Sequence, residues 1–173
     1  MSRFFEDIRI GEQMRLGTHV FTREEIVRFA RRFDPQPFHL DEGAAAAGPF
    51  GGLIASGWHT GAVWVRLMVE HRQRGAEAEA TTPGTHRARH GPSPGLRELK
   101  WLVPVRPGDT ISYSTRVTGK IDLASRPGWG IVVSRNEGVN QNGETVLSFL
   151  GEVFVERRAP PAQAGNSRDD NNP

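Results

Sequence analysis

The sequence predicts an α+β fold in which an antiparallel β-sheet wraps one long helix. Three observations carry the prediction. Residues 96–155 hold four segments of loose period-two alternation, joined by hairpin-type turns. Residues 56–72 form one long segment whose apolar residues fall on more than one helical face, as in a helix enclosed by a sheet. The chain shows neither strand–helix–strand alternation nor a Gly-rich phosphate loop, which argues against a Rossmann or P-loop enzyme.

In chain order, Phe4 and Phe5 anchor the start, residues 8–12 make a turn, and Gln13 to Phe21 reads as a half-buried strand. Thr22-Arg23-Glu24-Glu25 is a capping box, in which the Thr22 hydroxyl accepts from the Glu25 amide and Glu25 reaches back. Ile26, Phe29, Ala30 and Phe33 then share one helical face, and Pro35 disfavours helical geometry at Asp34. Residues 34–51 form a loop with a short helical turn at 41–47. The buried helix follows from Ser56 to about Arg72, with a small, polar first turn. Residues 73–95, rich in Gly and Pro, read as a flexible insertion after a frayed helix end. Strands at Leu96 to Val105, Thr110 to Ile121, Trp129 to Val139 and Thr145 to Val155 complete the sheet. The turn between the last two is Asn140-Gln141-Asn142-Gly143. One domain therefore spans 1–156, and 157–173 reads as a disordered tail.

The 173 residues suit a single domain. The absence of cysteine excludes disulfide scaffolds, Cys-ligated metals and cysteine nucleophiles. No apolar run approaches the ~18 residues of a membrane span, and the first residues lack a signal-peptide core, so the expectation is a soluble cytoplasmic protein. The net charge is +2, yet the pI is near 9.6 because 20 of the 22 basic residues are Arg. Five of those Arg lie between His71 and Arg97, in the Gly/Pro-rich segment, and three more in 157–173, which leaves the remainder slightly acidic. Basic charge placed there, without interleaved aromatics, argues against a nucleic-acid partner.

Chemistry concentrates in two stretches. In Phe33-Asp34-Pro35-Gln36-Pro37-Phe38-His39-Leu40-Asp41, two prolines stiffen the interval between a carboxylate and an imidazole. Such a pair, held beside Phe33 and Phe38, can bind and polarise one water. Spacing alone favours the plainer alternative, in which Asp34 caps a turn and His39 is a hydrogen-bonded loop histidine. Asp41 either orients His39 or caps the next turn. In Phe50-Gly51-Gly52-Leu53-Ile54-Ala55-Ser56-Gly57-Trp58-His59, a helix beginning near Ser56 points unpaired amides outward. The bare Gly57 amide lets a carbonyl oxygen approach, or the small residues simply let the helix start close to a sheet. His19, His71, His86 and His90 lack partners at metal-ligand spacing, so no metal is expected.

Together these stretches resemble the MaoC-like dehydratases and (R)-specific enoyl-CoA hydratases. The loop Asp34-Pro35-Gln36-Pro37-Phe38-His39 is similar to the family's Asp-x-Asn-Pro-x-His. Ser56-Gly57-Trp58 stands where the family has His-Gly-Met, and Leu99-Lys100-Trp101-Leu102-Val103-Pro104-Val105-Arg106-Pro107-Gly108-Asp109-Thr110 is similar to the strand, turn and strand that follow the helix. The resemblance covers about residues 5–156 apart from 73–95.

It implies the hot-dog fold and the addition of water to, or its removal from, a trans-2-enoyl-CoA. Asp34 and His39 would hold the water, and the Gly57 amide would polarise the thioester carbonyl. Phe38, Ser56, Trp58 and His59 would contact substrate, with a core or interface role as the alternative for His59; Trp58 and Trp64 would narrow the acyl tunnel or simply pack in the core. Coenzyme A would be part of the substrate, with no separate cofactor. The protein would be a homodimer or larger homo-oligomer without membrane association. Arg97, Lys100, Arg106 and Arg135 would either meet the CoA phosphates or form a solvated face. Gln36 and Ser56 depart from the family pattern. Two other readings remain open on the same fold: an acyl-CoA thioesterase, and a non-catalytic acyl-thioester-binding protein.

Overall fold

The computed structural model describes residues 3–79 and 87–158. Among these, five strands form one antiparallel sheet: β1 (Gln13–Val20), β2 (Leu96–Trp101), β3 (Thr110–Asp122), β4 (Trp129–Val139) and β5 (Thr145–Glu156), in the spatial order β1-β3-β4-β5-β2. Helices α1 (Arg23–Phe33), α2 (Pro37–Leu40) and α3 (Glu42–Ala47) lead from β1 to the long α4 (Gly57–Glu79). The α+β fold expected from the sequence is the one observed.

The sheet curls around α4 because alternate residues of its strands are apolar. Ile111 and Tyr113 of β3 and Leu147 and Phe149 of β5 join Leu16, Val63 and Leu67 in one core. The Tyr113 hydroxyl donates to the Thr60 carbonyl at 3.1 Å, fastening the first turn of α4 to the sheet. Gly17, at φ 141° in a β1 bulge, lies beneath the Leu67 side chain, so the bulge makes room for the helix. A second cluster of Phe5, Val117, Val132 and Val155 closes one end of the sheet. Gly130 lies against the Phe5 ring, which gives the N-terminal anchor its seat.

Local chemistry sets most element ends. Thr22 accepts from the Glu25 amide at 3.2 Å, as the capping box requires. The Glu25 carboxylate, however, stands 3.2 Å from His19 Nε2 on β1, a tertiary contact that sequence spacing does not show. In α1 the buried residues are Ile26, Val27 and Ala30, whereas Phe33 is 62% exposed, because the helix rolls Val27 inward and leaves its last turn at the surface. The Asn140-to-Gly143 hairpin holds because Asn140 Oδ1 accepts from the Asn142 and Glu144 amides.

The largest departures lie after Arg72. α4 continues to Glu79, since Gln, Arg, Ala and Glu favour helix enough to outweigh Gly75. Residues 87–95 run beside β5: the Gly91 amide donates to Phe154, and the Phe154 amide donates to Pro92. β2 is shorter than expected and carries a bulge at Glu98, whose φ of 55° is unusual outside glycine. Residues 80–86, within the expected insertion, and 159–173, within the expected tail, lie outside the described residues.

Candidate active site

The site forms where α1 ends, α2 turns and α4 begins. Asp34 is the C-cap of α1; its amide donates to the Ala30 carbonyl, and Pro35 prevents another helical turn. Pro37 then opens α2, a one-turn helix absent from the sequence reading, and this turn carries His39 inward to 4% exposure. His39 Nδ1 lies 2.8 Å from the Ile54 carbonyl oxygen. A carbonyl only accepts, so Nδ1 carries the hydrogen, and Nε2 is the nitrogen left to face Asp34 Oδ2 at 3.3 Å.

Ser56 joins the two stretches. Its hydroxyl donates to Asp34 Oδ2 at 2.6 Å while accepting the Trp58 amide at 3.2 Å. It therefore caps α4 and orients the carboxylate, rather than facing substrate as expected. Gln36, the other departure from the family pattern, donates its side-chain amide to Asp34 Oδ1 at 2.8 Å. Ser56 first, then Gln36 and His39, hold the Asp34 carboxyl below its usual range, against a smaller opposing effect of burial. Both departures support the carboxylate in its charged form.

The Gly57 amide has no hydrogen-bond partner among the described residues. Above its α-carbon lies the Trp101 indole: a Cβ at position 57 would come within 2.5–2.7 Å of it. A pocket of about 420 Å³ collects these groups, with Asp34, His39, Gly57, Phe38, Trp58 and Trp101 among its walls. Phe38 packs edge-on against both His39 and Phe50. Trp58 and Trp101, in edge contact at 5.1 Å, also line a larger apolar groove between α4 and the sheet, so they stand between the two cavities.

His59 does not join this pocket. It stacks on Phe29, with ring centroids 4.5 Å apart, and meets the edge of Phe21 at 5.0 Å. Burial there pushes its pKa down to about 4. Two residues beyond Gly57 is just over half a turn, which aims the side chain at α1 instead. Asp41 caps α3 by accepting from the Ala44 amide at 2.7 Å. Arg97 pairs with Glu152 and Arg135 with Glu98, each at 2.8 Å, and Arg106 donates to the Phe50 carbonyl at 2.7 Å. Among the described residues no cluster of three or more His, Asp or Glu is arranged to hold a metal. The sequence reading did not find the Ile54 carbonyl or Trp101. Trp101 had only its strand position as a signal, and the Ile54 carbonyl had none.

Known proteins resemble this chain in sequence and in fold. The MaoC-like dehydratase from Rhodospirillum rubrum superposes with a TM-score of 0.74 at 38% identity, over 91% of this chain and 99% of its own. The Uncharacterized protein YdeM of Bacillus subtilis is 30% identical over 150 residues, covering 87% of this chain and 95% of that protein. Mesaconyl-CoA hydratase of Cereibacter sphaeroides is 43% identical over 72 residues, which are 40% of this chain and 21% of the hydratase. Residues 7–134 match the family described as MaoC like domain. With the sheet, the enclosed helix and the sequence match in agreement, the chain belongs to the MaoC-like domain family of hot-dog proteins.

Proposed function

We propose that the protein is an acyl-CoA hydratase or dehydratase acting on a trans-2-enoyl thioester. The observation that carries this reading is the 3.3 Å approach of Asp34 Oδ2 and His39 Nε2 in the pocket that also holds the unpaired Gly57 amide. One water can bridge Asp34 Oδ2 and His39 Nε2 from the pocket side, bonded to both, with an oxygen lone pair left toward the substrate. Its oxygen bonds to the β-carbon as one proton passes to the pair. The C=C electrons move to the thioester oxygen, where the Gly57 N–H and the positive end of α4 stabilise the enolate. The pair returns a proton to the α-carbon, and the 3-hydroxyacyl thioester leaves. Dehydration is the reverse. The Trp58–Trp101 pair forms part of the wall between this pocket and the larger groove, and no separate cofactor takes part.

The assembly is proposed to be a homodimer. β2 is an edge strand of the sheet, and its neighbourhood carries Leu96, Trp101 and Leu102 at 46–54% exposure. Pairing with a second copy covers both the open edge and the apolar side chains. Light scattering is expected to give twice the monomer mass. No helix among the described residues is long and apolar enough to cross a membrane.

The function is tested by incubating purified protein with a panel of enoyl-CoAs while following conjugated-enone absorbance and free thiol. Enone loss without thiol is expected. Thiol release would favour a thioesterase, and ligand binding with neither change would favour a non-catalytic role.

A further inference from the structure

The groove between α4 and the inner face of the sheet has a volume of about 960 Å³ and is walled mainly by apolar side chains, among them Met68, Leu99, Leu147 and Phe149. Polar groups interrupt that wall in several places, Asn136 and Trp64 among them. Asn136 on β4 is 1% exposed and sits in a cross-strand row between Thr115 of β3 and Phe149 of β5. Trp64 of α4 stands edge-on to the Phe149 ring at 4.8 Å. The helix and the sheet thus bring an indole and a carboxamide to the same phenyl ring.

The chemistry of each group is determined. Asn136 Nδ2 donates to the Ser134 carbonyl at 3.0 Å; a carbonyl only accepts, so the amide orientation is set and Oδ1 is the acceptor left over. Among the described residues neither Asn136 Oδ1 nor Trp64 Nε1 has a partner, and both atoms are closed off from solvent. Buried polar groups are nearly always paired, because desolvation without a bond is costly. The neighbouring position is adapted to the amide: a Cβ on Gly151 would come within 2.9 Å of Asn136 Nδ2.

We infer that the acyl chain taken up in this groove carries a hydroxyl group beyond the reacting double bond, held between Trp64 Nε1–H and Asn136 Oδ1. A hydroxyl accepts from the indole and donates to the amide oxygen at once. A methylene leaves both groups unpaired. A ketone serves only Trp64, and a carboxylate turns its lone pairs against Asn136 Oδ1. Both atoms are closed off from solvent, so a side chain of the wall must shift to admit the group; Met68, unbranched with three rotatable bonds, is one wall residue able to shift. The inference deepens the hydratase reading, on which its thioester class rests.

The test compares trans-2-enoyl-CoAs of four to eight acyl carbons, each with and without a terminal hydroxyl. It reads kcat/KM for hydration, and Kd for the matching saturated acyl-CoAs by calorimetry. At one or more lengths the hydroxylated member is expected to be preferred about tenfold or more, the scale of a hydrogen bond satisfied against one left open. Trp64→Phe and Asn136→Leu are each expected to cut that ratio to about twofold or less. Trp64→Phe keeps an aromatic ring against Phe149, so it decides the matter if Asn136→Leu does not fold. The inference is overturned if no length shows the preference in either readout, if no acyl-CoA binds, if the preference survives Trp64→Phe, or if carboxylated chains are preferred. Tighter binding of saturated hydroxyacyl-CoA through these two residues, without hydration of any enoyl-CoA, would sink the hydratase reading and leave this one standing.

Discussion

Ser56 donates its hydroxyl hydrogen to Asp34 Oδ2 at 2.6 Å, across 22 positions of sequence. This bond joins the cap of α4 to the candidate catalytic carboxylate, and it is the largest influence holding that carboxyl acidic. Ser56→Ala is expected to lower kcat/KM about tenfold and to cost about 1 kcal/mol at neutral pH, the lower part of the range for a bond to a charged group because Asp34 is partly exposed. The sign follows from linkage. Asp34 is more acidic folded than unfolded, so its contribution is complete above the unfolded pKa and disappears as pH falls through the folded value. Urea unfolding at pH 7 and in acid should therefore show the gap between wild type and variant narrowing on acidification. A gap independent of pH would contradict this account.

Asp34→Asn keeps the shape of the carboxylate and removes its charge. Hydration is expected to fall by about 10²- to 10⁴-fold with the fold retained. His39→Ala should lose a similar factor and also cost about 1–3 kcal/mol, because it leaves the Ile54 carbonyl without its donor. Steady-state kinetics paired with thermal melts separate the two effects. If either variant kept wild-type turnover, the dyad assignment would be wrong.

Gly57→Ala places a methyl where the Trp101 indole already sits, 2.5–2.7 Å away. The indole must shift to accept the methyl, so a stability loss is expected alongside a large fall in kcat. Adding Trp101→Ala should recover most of the lost stability but little of the rate, since a Cβ still obstructs approach to the amide. Melting temperature and kcat, measured on the single and double variants, check both halves.

His59 supplies a pH signature of its own. Its pKa is about 4 when folded, against an ordinary value near 6.5, because the imidazole is buried between Phe29 and Phe21 and faces His19, Glu25, Arg28 and Arg66. The unfolded chain binds more protons between these values, so stability rises with pH from about 4 to 6.5 and then levels. After allowance for residual solvent screening, His59 should account for about 1–2 kcal/mol of that rise. His19, also lowered by burial, adds in the same direction. His59→Gln should flatten the profile without abolishing it. An unchanged slope in urea titrations across this range would show that His59 is not the group responsible.

Much of the fold is legible because its signals are local. The Thr22 cap, the Asn140–Gly143 hairpin and the period-two strands each depend on residues a few positions apart. The Asp34/His39 pair belongs to the same class, since Pro35 and Pro37 shape the chain between them. The extension of α4 past Arg72 was less visible, because Gly75 and the Pro-rich stretch beyond it masked good helix formers.

The order of the strands and the main helices, the turns and the cap residues were thus determined by the sequence alone, because each depends on backbone preference over a few residues, while Asp34, His39 and Gly57 stood out through motif resemblance. Tertiary structure decided which atoms those groups present. Ser56, Gly57, Trp58 and His59 span nearly a full helical turn, so their roles depend on how α4 is rotated about its axis. Packing of Val63 and Leu67 against the sheet sets that rotation. It directs Ser56 to Asp34, leaves Gly57 under Trp101 and turns His59 to Phe29. The Ile54 carbonyl, brought up from 15 residues away, then selects which nitrogen of His39 faces the carboxylate.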